Sequence, residues 1–173
     1  KRSGKAITLV TLLDEVPIDA ARFFFNLREP NSHFDFDLDL AVSESNSNPV
    51  FYVQYAYARI CSILRNLAEE GIERRDCTSG ELELLNAPEE RELIIHISAL
   101  TDEIIKSEKT YDPARLTHYV NELATKFHKF YAVCRVKGED EALTQARLNL
   151  CYATGVVIKN VLDMLKITAP EKM

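Results

Sequence analysis

Asn48-Pro49-Val50-Phe51-Tyr52-Val53-Gln54-Tyr55-Ala56-Tyr57-Ala58-Arg59-Ile60-Cys61-Ser62-Ile63-Leu64-Arg65-Asn66-Leu67 is the stretch whose reading settles the architecture. Val50, Val53, Tyr57, Ile60, Leu64 and Leu67 recur at alternating steps of three and four, the spacing of a helix with one core-facing stripe. Five full turns of such a pattern need other helices to cover them. The polar run Ser43–Asn48 just ahead of it, ionised only at Glu44, is the expected domain boundary.

Downstream the same period repeats. Thr78-Ser79-Gly80-Glu81 has the spacing of a capping box and predicts a short helix. Asn86-Ala87-Pro88-Glu89-Glu90 opens another, with proline and acids where a helix start favours them; its stripe is Leu93, Ile97, Leu100 and Ile104. Asp112-Pro113 begins a helix with Leu116, Val120, Leu123, Phe127, Phe130 and Cys134 inward, and Gly138 is its expected stop. The last predicted helix runs from about Asp140 to Lys166 through Leu143, Ala146, Leu150, Ala153, Val157 and Val161. Residues 46–173 therefore read as an all-α helical bundle.

Residues 1–45 read differently. Helices are expected over Ile7–Val16 and Asp19–Arg28, the second capped by Asp19, and His33-Phe34-Asp35-Phe36-Asp37-Leu38-Asp39-Leu40 alternates as a half-buried strand does. This segment is taken as a short α/β remnant of a preceding domain. Lys1-Arg2-Ser3-Gly4-Lys5 reads as the cut edge of a longer chain and not as a secretory signal.

Composition bounds the function. The 173 residues are 46% hydrophobic, with 5 glycines and 6 prolines, which excludes a disordered or fibrous chain. No apolar run reaches membrane-spanning length. The four cysteines form no CxxC pair and read as reduced, buried thiols of a cytoplasmic protein. The net charge of −6 speaks at first against a nucleic-acid partner, but the charge is segregated. Residues 76–114 hold 3 basic and 10 acidic side chains, a net of −7; residues 115–138 hold 5 and 1, a net of +4.

Some side chains do not fit the packing pattern. At ~100° per residue, Tyr52, Tyr55 and Arg59 fall together roughly 130–140° from the apolar stripe of their helix. Tyrosine rings stack on unpaired bases, and arginine pairs with phosphate or stacks, so this face reads as a stacking-and-charge platform. A face packed against a neighbouring helix is the alternative. In the basic segment Lys126, Lys129, Arg135 and Lys137 accompany Tyr131, with Tyr131 and Arg135 four apart; a solvated cationic face balancing residues 76–114 reads equally well. Catalytic patterns are lacking. His33, His96, His118 and His128 have no partner at metal-ligand spacing, so no metal is expected, and His96 reads as a hydrogen-bonded packing residue.

The run Asn48–Arg59 strongly resembles the opening helix of the DALR-type anticodon-binding domain of class I arginyl-tRNA synthetases. Phe127-His128-Lys129-Phe130-Tyr131-Ala132-Val133-Cys134-Arg135-Val136 resembles that domain's later tRNA-facing helix. Arg147-Leu148-Asn149-Leu150-Cys151 through Leu162-Asp163-Met164-Leu165 resembles its final helix, and Ala169-Pro170-Glu171-Lys172-Met173 the family's C-terminus. Asp19-Ala20-Ala21-Arg22 and Phe34-Asp35-Phe36-Asp37 resemble the tail of the catalytic domain. The resemblance implies an all-helical domain at 46–173 that inspects the anticodon of the tRNA for arginine. It also implies anticodon-handling roles for Tyr52, Tyr55 and Arg59, with help from Tyr131 and Arg135 and with Met173 closing the site. Some members carry an aromatic at the position of Arg135, so here that residue is expected to grip phosphate. Lys126, Lys129 and Lys137 would support it.

Lys1-Arg2-Ser3-Gly4 resembles the latter half of the lysine loop that stabilises the ATP phosphates, with Lys1 its second lysine. The first half and the upstream His-containing motif are absent. The parent is thus expected to be a ligase joining L-arginine to tRNA with ATP and Mg, and this fragment to be inactive alone, without a cofactor, and monomeric. The competing reading is a helical protein-interaction module that docks a partner through the Tyr52/Tyr55/Arg59 face.

Overall fold

The computed structural model describes residues 8–28 and 35–173. Among them nine helices form, and no strand: α1 (Leu9–Glu15), α2 (Ile18–Asn26), α3 (Leu38–Val42), α4 (Pro49–Glu69), α5 (Ser79–Leu82), α6 (Pro88–Ser98), α7 (Leu100–Thr110), α8 (Ala114–Val133) and α9 (Glu141–Met164). None of these helices is long and apolar enough to cross a membrane.

The bundle is built around α8, which packs on α4, α6, α7 and α9. Its start and stop signals are chemical. Asn48 caps α4, its Oδ1 accepting the Val50 N–H at 3.2 Å while its Nδ2 donates to the carbonyls of Ala41 and Ser43. The same side chain thus starts the helix and fastens the chain that leads into it. Gly71, at φ +82°, ends α4: its N–H bonds to Ala68 and that of Ile72 to Leu67, closing the last carbonyls in a left-handed cap. The capping box at Thr78 and Glu81 forms as expected.

The core is continuous. Val53, Ile60, Leu123, Phe127, Phe130, Leu148, Ile158 and Leu162 are fully buried, and Val16, Phe23 and Phe24 from the N-terminal segment enter the same cluster. Each such side chain contributes about 1.5–3 kcal/mol through removal from water. Asp19 does not cap α2, whose N-cap is Pro17; its carboxylate instead accepts from Gln54 Nε2 and from the Thr168 N–H. Arg22 donates to the Lys166 carbonyl at 2.6 Å, so the segment before the bundle is tied to the turn after it.

Three further expectations are corrected. The strand predicted over residues 33–40 does not form in its described part: residues 35–37 carry no regular structure, and Asp37 caps α3 through the Leu40 N–H. With no partner strand, an alternating pattern has nothing to pair with, and the acid becomes a cap. His33 and Phe34 lie outside the described residues. The single helix expected after Pro88 is broken into α6 and α7 at Ala99, where the Ser98 hydroxyl donates to the Ile95 carbonyl and the Ala99 N–H bonds three residues back to His96. Finally, α8 stops at Val133, five residues before Gly138, because Cys134 turns extended.

Candidate functional site

Tyr52, Tyr55 and Arg59 do come together on one face of α4, and that face meets α8. Two α8 side chains one turn apart, His128 and Tyr131, point at it. Tyr52 and Tyr55 flank the His128 ring, with centroids 4.7 and 5.9 Å away. The Arg59 guanidinium lies over the Tyr55 ring at 4.5 Å and over the Tyr131 ring at 5.2 Å, so it stands between two aromatic faces. It donates through one Nη to the Tyr55 hydroxyl and through the other to His128 Nδ1 at 3.3 Å. The face packs on a neighbouring helix, and all three side chains keep part of their surface in water.

Two clefts open on either side of the Tyr55–Arg59 pair. One, about 370 Å³, is lined by Asn46, Phe51, Tyr52, Tyr55, Arg59 and His128. The other, about 250 Å³, is lined by Tyr55, Arg59, Ser62, Asn66, Tyr131 and Met173, among others. Met173, which lines the second cleft, is 55% exposed, and Tyr131 is 41% exposed. Aromatic walls, amide edges and one central cation are the chemistry that recognises an unstacked base and its phosphate.

The electrostatics are lopsided. Among the described residues Arg59 has no carboxylate partner. His128 offers no counter-charge: burial, and then the Arg59 charge, hold its imidazole below the ordinary histidine range. A guanidinium only donates, so Nδ1 of the neutral ring accepts and the proton is assigned to Nε2.

The remaining predicted residues separate. Arg135 is not four residues along a helix from Tyr131, since α8 has ended; it lies on the exposed turn beyond. It still lines an adjoining groove of about 440 Å³ together with Ile63, Asn66, Tyr131 and Lys137. Lys137 is paired with Glu70. Lys126 is turned toward α6 and pairs with Glu92 at 3.6 Å and Glu122 at 3.3 Å, so the alternative of charge balance against the acidic block is what this lysine does. Lys129 is exposed. Lys1 lies outside the described residues. His96 is a packing residue as expected, its Nε2 3.0 Å from the Tyr119 carbonyl and its ring 4.4 Å from the Tyr119 ring.

Sequence reasoning passed over His128, Phe51 and the amides Asn46 and Asn66. His128 was findable, because it sits three residues before Tyr131 and so shares its helix face. The amides carried no signal, since only the fold brings them to the clefts.

The family model described as the DALR anticodon binding domain matches residues 53–173. The chain is 58% identical over 173 residues to a protein from Acetivibrio thermocellus named arginine–tRNA ligase, and 55% identical to one of the same name from Ruminiclostridium cellulolyticum. All of this chain is covered in both cases, but only 31% of each relative. Among solved structures, the Thermus thermophilus arginyl-tRNA synthetase matches 90% of this chain with 26% of its own, at a TM-score of 0.76 and 28% identity. The arginyl-tRNA synthetase of Plasmodium falciparum matches the same share of each chain at 0.71 and 26%.

Proposed function

The chain belongs to the DALR anticodon-binding domain family, and from that premise we propose that it is the anticodon-reading part of an arginine–tRNA ligase. The observation that carries the reading is the α4–α8 cluster, in which Arg59 stands between the Tyr55 and Tyr131 rings with no carboxylate among the described residues to neutralise it. Splayed anticodon-loop bases stack on Tyr52, Tyr55 and Tyr131. Polar groups in the flanking clefts contact base edges, and Arg59 and Arg135 meet phosphates. Met173 bounds the cleft on one side.

L-arginine, ATP and Mg are handled in this reading by the longer protein, of which the chain spans 31% of the length of the relatives named above. Residues 1–45 are its adjoining segment, and Lys1 is this chain's share of the ATP-phosphate loop. The domain acts as a monomer.

The test is binding of the chain to the tRNA for arginine and to the same tRNA with its middle anticodon base changed. The changed tRNA is expected to bind at least tenfold more weakly, about the 1–3 kcal/mol discrimination of one well-read base. Tyr52→Ala and Tyr55→Ala are each expected to cost about 1–3 kcal/mol, the worth of a stacked base. Affinity for the correct tRNA falls steeply with salt. Equal affinities for both tRNAs, unchanged in the two variants, would sink the reading, and binding of a protein partner that is indifferent to salt would put the interaction-module alternative in its place.

A further inference from the structure

We propose that His128 is the positioning residue of this site: its neutral ring accepts a hydrogen bond from Arg59 and wedges Tyr52 and Tyr55 into two separate stacking surfaces. The inference rests on the reading above.

The geometry has three parts. His128 touches every element of the platform on α4, being 4.7 Å from the Tyr52 ring, 5.9 Å from the Tyr55 ring and 3.3 Å from the Arg59 Nη1. Its other nitrogen, Nε2, is buried without a hydrogen-bond partner among the described residues, so Arg59 makes the side-chain hydrogen bond to the ring. On its own helix Phe127 packs beside it at 5.7 Å, and Tyr131 lies a turn further on against the same guanidinium. The titratable or charged groups brought against it are Tyr52, Tyr55 and Arg59 from α4.

A proton on this ring meets the wrong surroundings. An imidazolium donates from both nitrogens. At Nδ1 it would face the guanidinium, another donor and a like charge; a backbone acceptor at Tyr52 favours the charged ring, but less than burial and Arg59 oppose it. Protonation therefore expels Arg59 from its place between the two tyrosines, and the platform loses its shape. This agrees with the imidazole being held below its ordinary range by burial and by Arg59. The unfolded chain, with an ordinary histidine, takes up the proton first, so stability also declines as pH falls below about 6.5.

The experiment measures anisotropy of a labelled anticodon stem-loop on the chain between pH 5.5 and 8, well below the unfolding temperature, for wild type, His128→Asn and His128→Leu. Asparagine keeps an acceptor where Nδ1 stands; leucine keeps bulk alone. Wild type is expected to lose affinity progressively toward the acid end, by a few-fold at pH 5.5 and short of the roughly tenfold that an ordinary histidine would give there. His128→Asn should bind within about threefold of wild type at pH 7.5 and lose the acid-side decline. His128→Leu should be about tenfold weaker at pH 7.5 and equally flat. Thermal melts confirm that each variant is folded.

Arginine side-chain NMR on the free protein separates the two levels of argument. The Arg59 guanidinium protons should exchange slowly in wild type and His128→Asn and fast in His128→Leu. If Arg59 stayed ordered and His128→Leu bound RNA as wild type does, the positioning role would be overturned while the site reading stood. If Tyr55→Ala left RNA binding untouched, the site reading would fail, and the NMR would still decide whether His128 holds Arg59.

Discussion

Two of the arginines that reach between helices in this molecule, Arg147 and Arg59, are treated in opposite ways. Arg147 of α9 donates through Nε to Glu90 of α6 at 2.7 Å. The carboxylate is 1% exposed and also accepts the Ala87 N–H at 2.8 Å. Arg147 then reaches the Arg135 carbonyl at 2.7 Å, fixing the turn beyond α8. Every charge there is matched inside the protein. Arg59 of α4, in contrast, rests on two tyrosines and a neutral histidine, with no carboxylate among the described residues. The first arrangement spends its charge on the fold; the second holds a cation in place and leaves it available. Proximity of an arginine to a neighbouring helix says little about function, whereas the kind of partner that neutralises it, or fails to, says a good deal.

The sharpest way to break the comparison is at Glu90. Glu90→Gln keeps an acceptor for the Ala87 N–H but leaves Arg147 without its counter-charge. Removing one member of a buried pair costs about 3–5 kcal/mol, and the lower end is expected because Arg147 retains 17% of its side-chain surface in water. Urea unfolding should report a loss near 3 kcal/mol with an unchanged slope. Loss below about 1 kcal/mol would mean that this pair is no more structural than a surface one.

The contrast also explains what was legible in the sequence. Helix existence was, because the apolar stripes of α4, α8 and α9 are long and their caps, Asn48 and Asp140, are of unmistakable chemistry. The Tyr52/Tyr55/Arg59 face was legible from the same arithmetic, since a residue that leaves a stripe leaves it at a computable angle. What could not be read is pairing across helices. Glu90 and Arg147 are 57 residues apart, and nothing local marks the carboxylate as buried. Lys126 looked like a site cation and is held by Glu92 from α6. The strand expected before Leu40 failed for a related reason: alternation gives a side-chain period but supplies no partner strand.

Arg59→Met tests the other half of the comparison. Methionine keeps most of the packing between the rings and removes the charge, so stability should change by less than about 1 kcal/mol. RNA binding should weaken by about 1.5–3 kcal/mol, as a charge-assisted contact is lost, and the logarithmic salt slope should shrink by about 0.7 for one phosphate contact on a single strand. If stability fell as far as in Glu90→Gln while the salt slope stayed put, Arg59 would be a second structural arginine and the contrast would collapse.

The smallest effect is expected at Lys126, and it is the one that sharpens the boundary of the site. This lysine shares α8 with His128 and Tyr131, and the basic composition of residues 115–138 invites the view that the whole helix is one cationic strip for RNA. Its ammonium is instead engaged 3.6 Å from Glu92 and 3.3 Å from Glu122, on the side of α8 that faces α6. Exposed pairs of this kind are worth about 0–1 kcal/mol to folding. Lys126→Gln should therefore move stability by no more than about 0.5 kcal/mol and leave both RNA affinity and its salt slope where they are. A slope reduced as much as in Arg59→Met would extend the RNA-contacting surface around α8, and the division between a face that balances charge and a face that offers it would have to be redrawn.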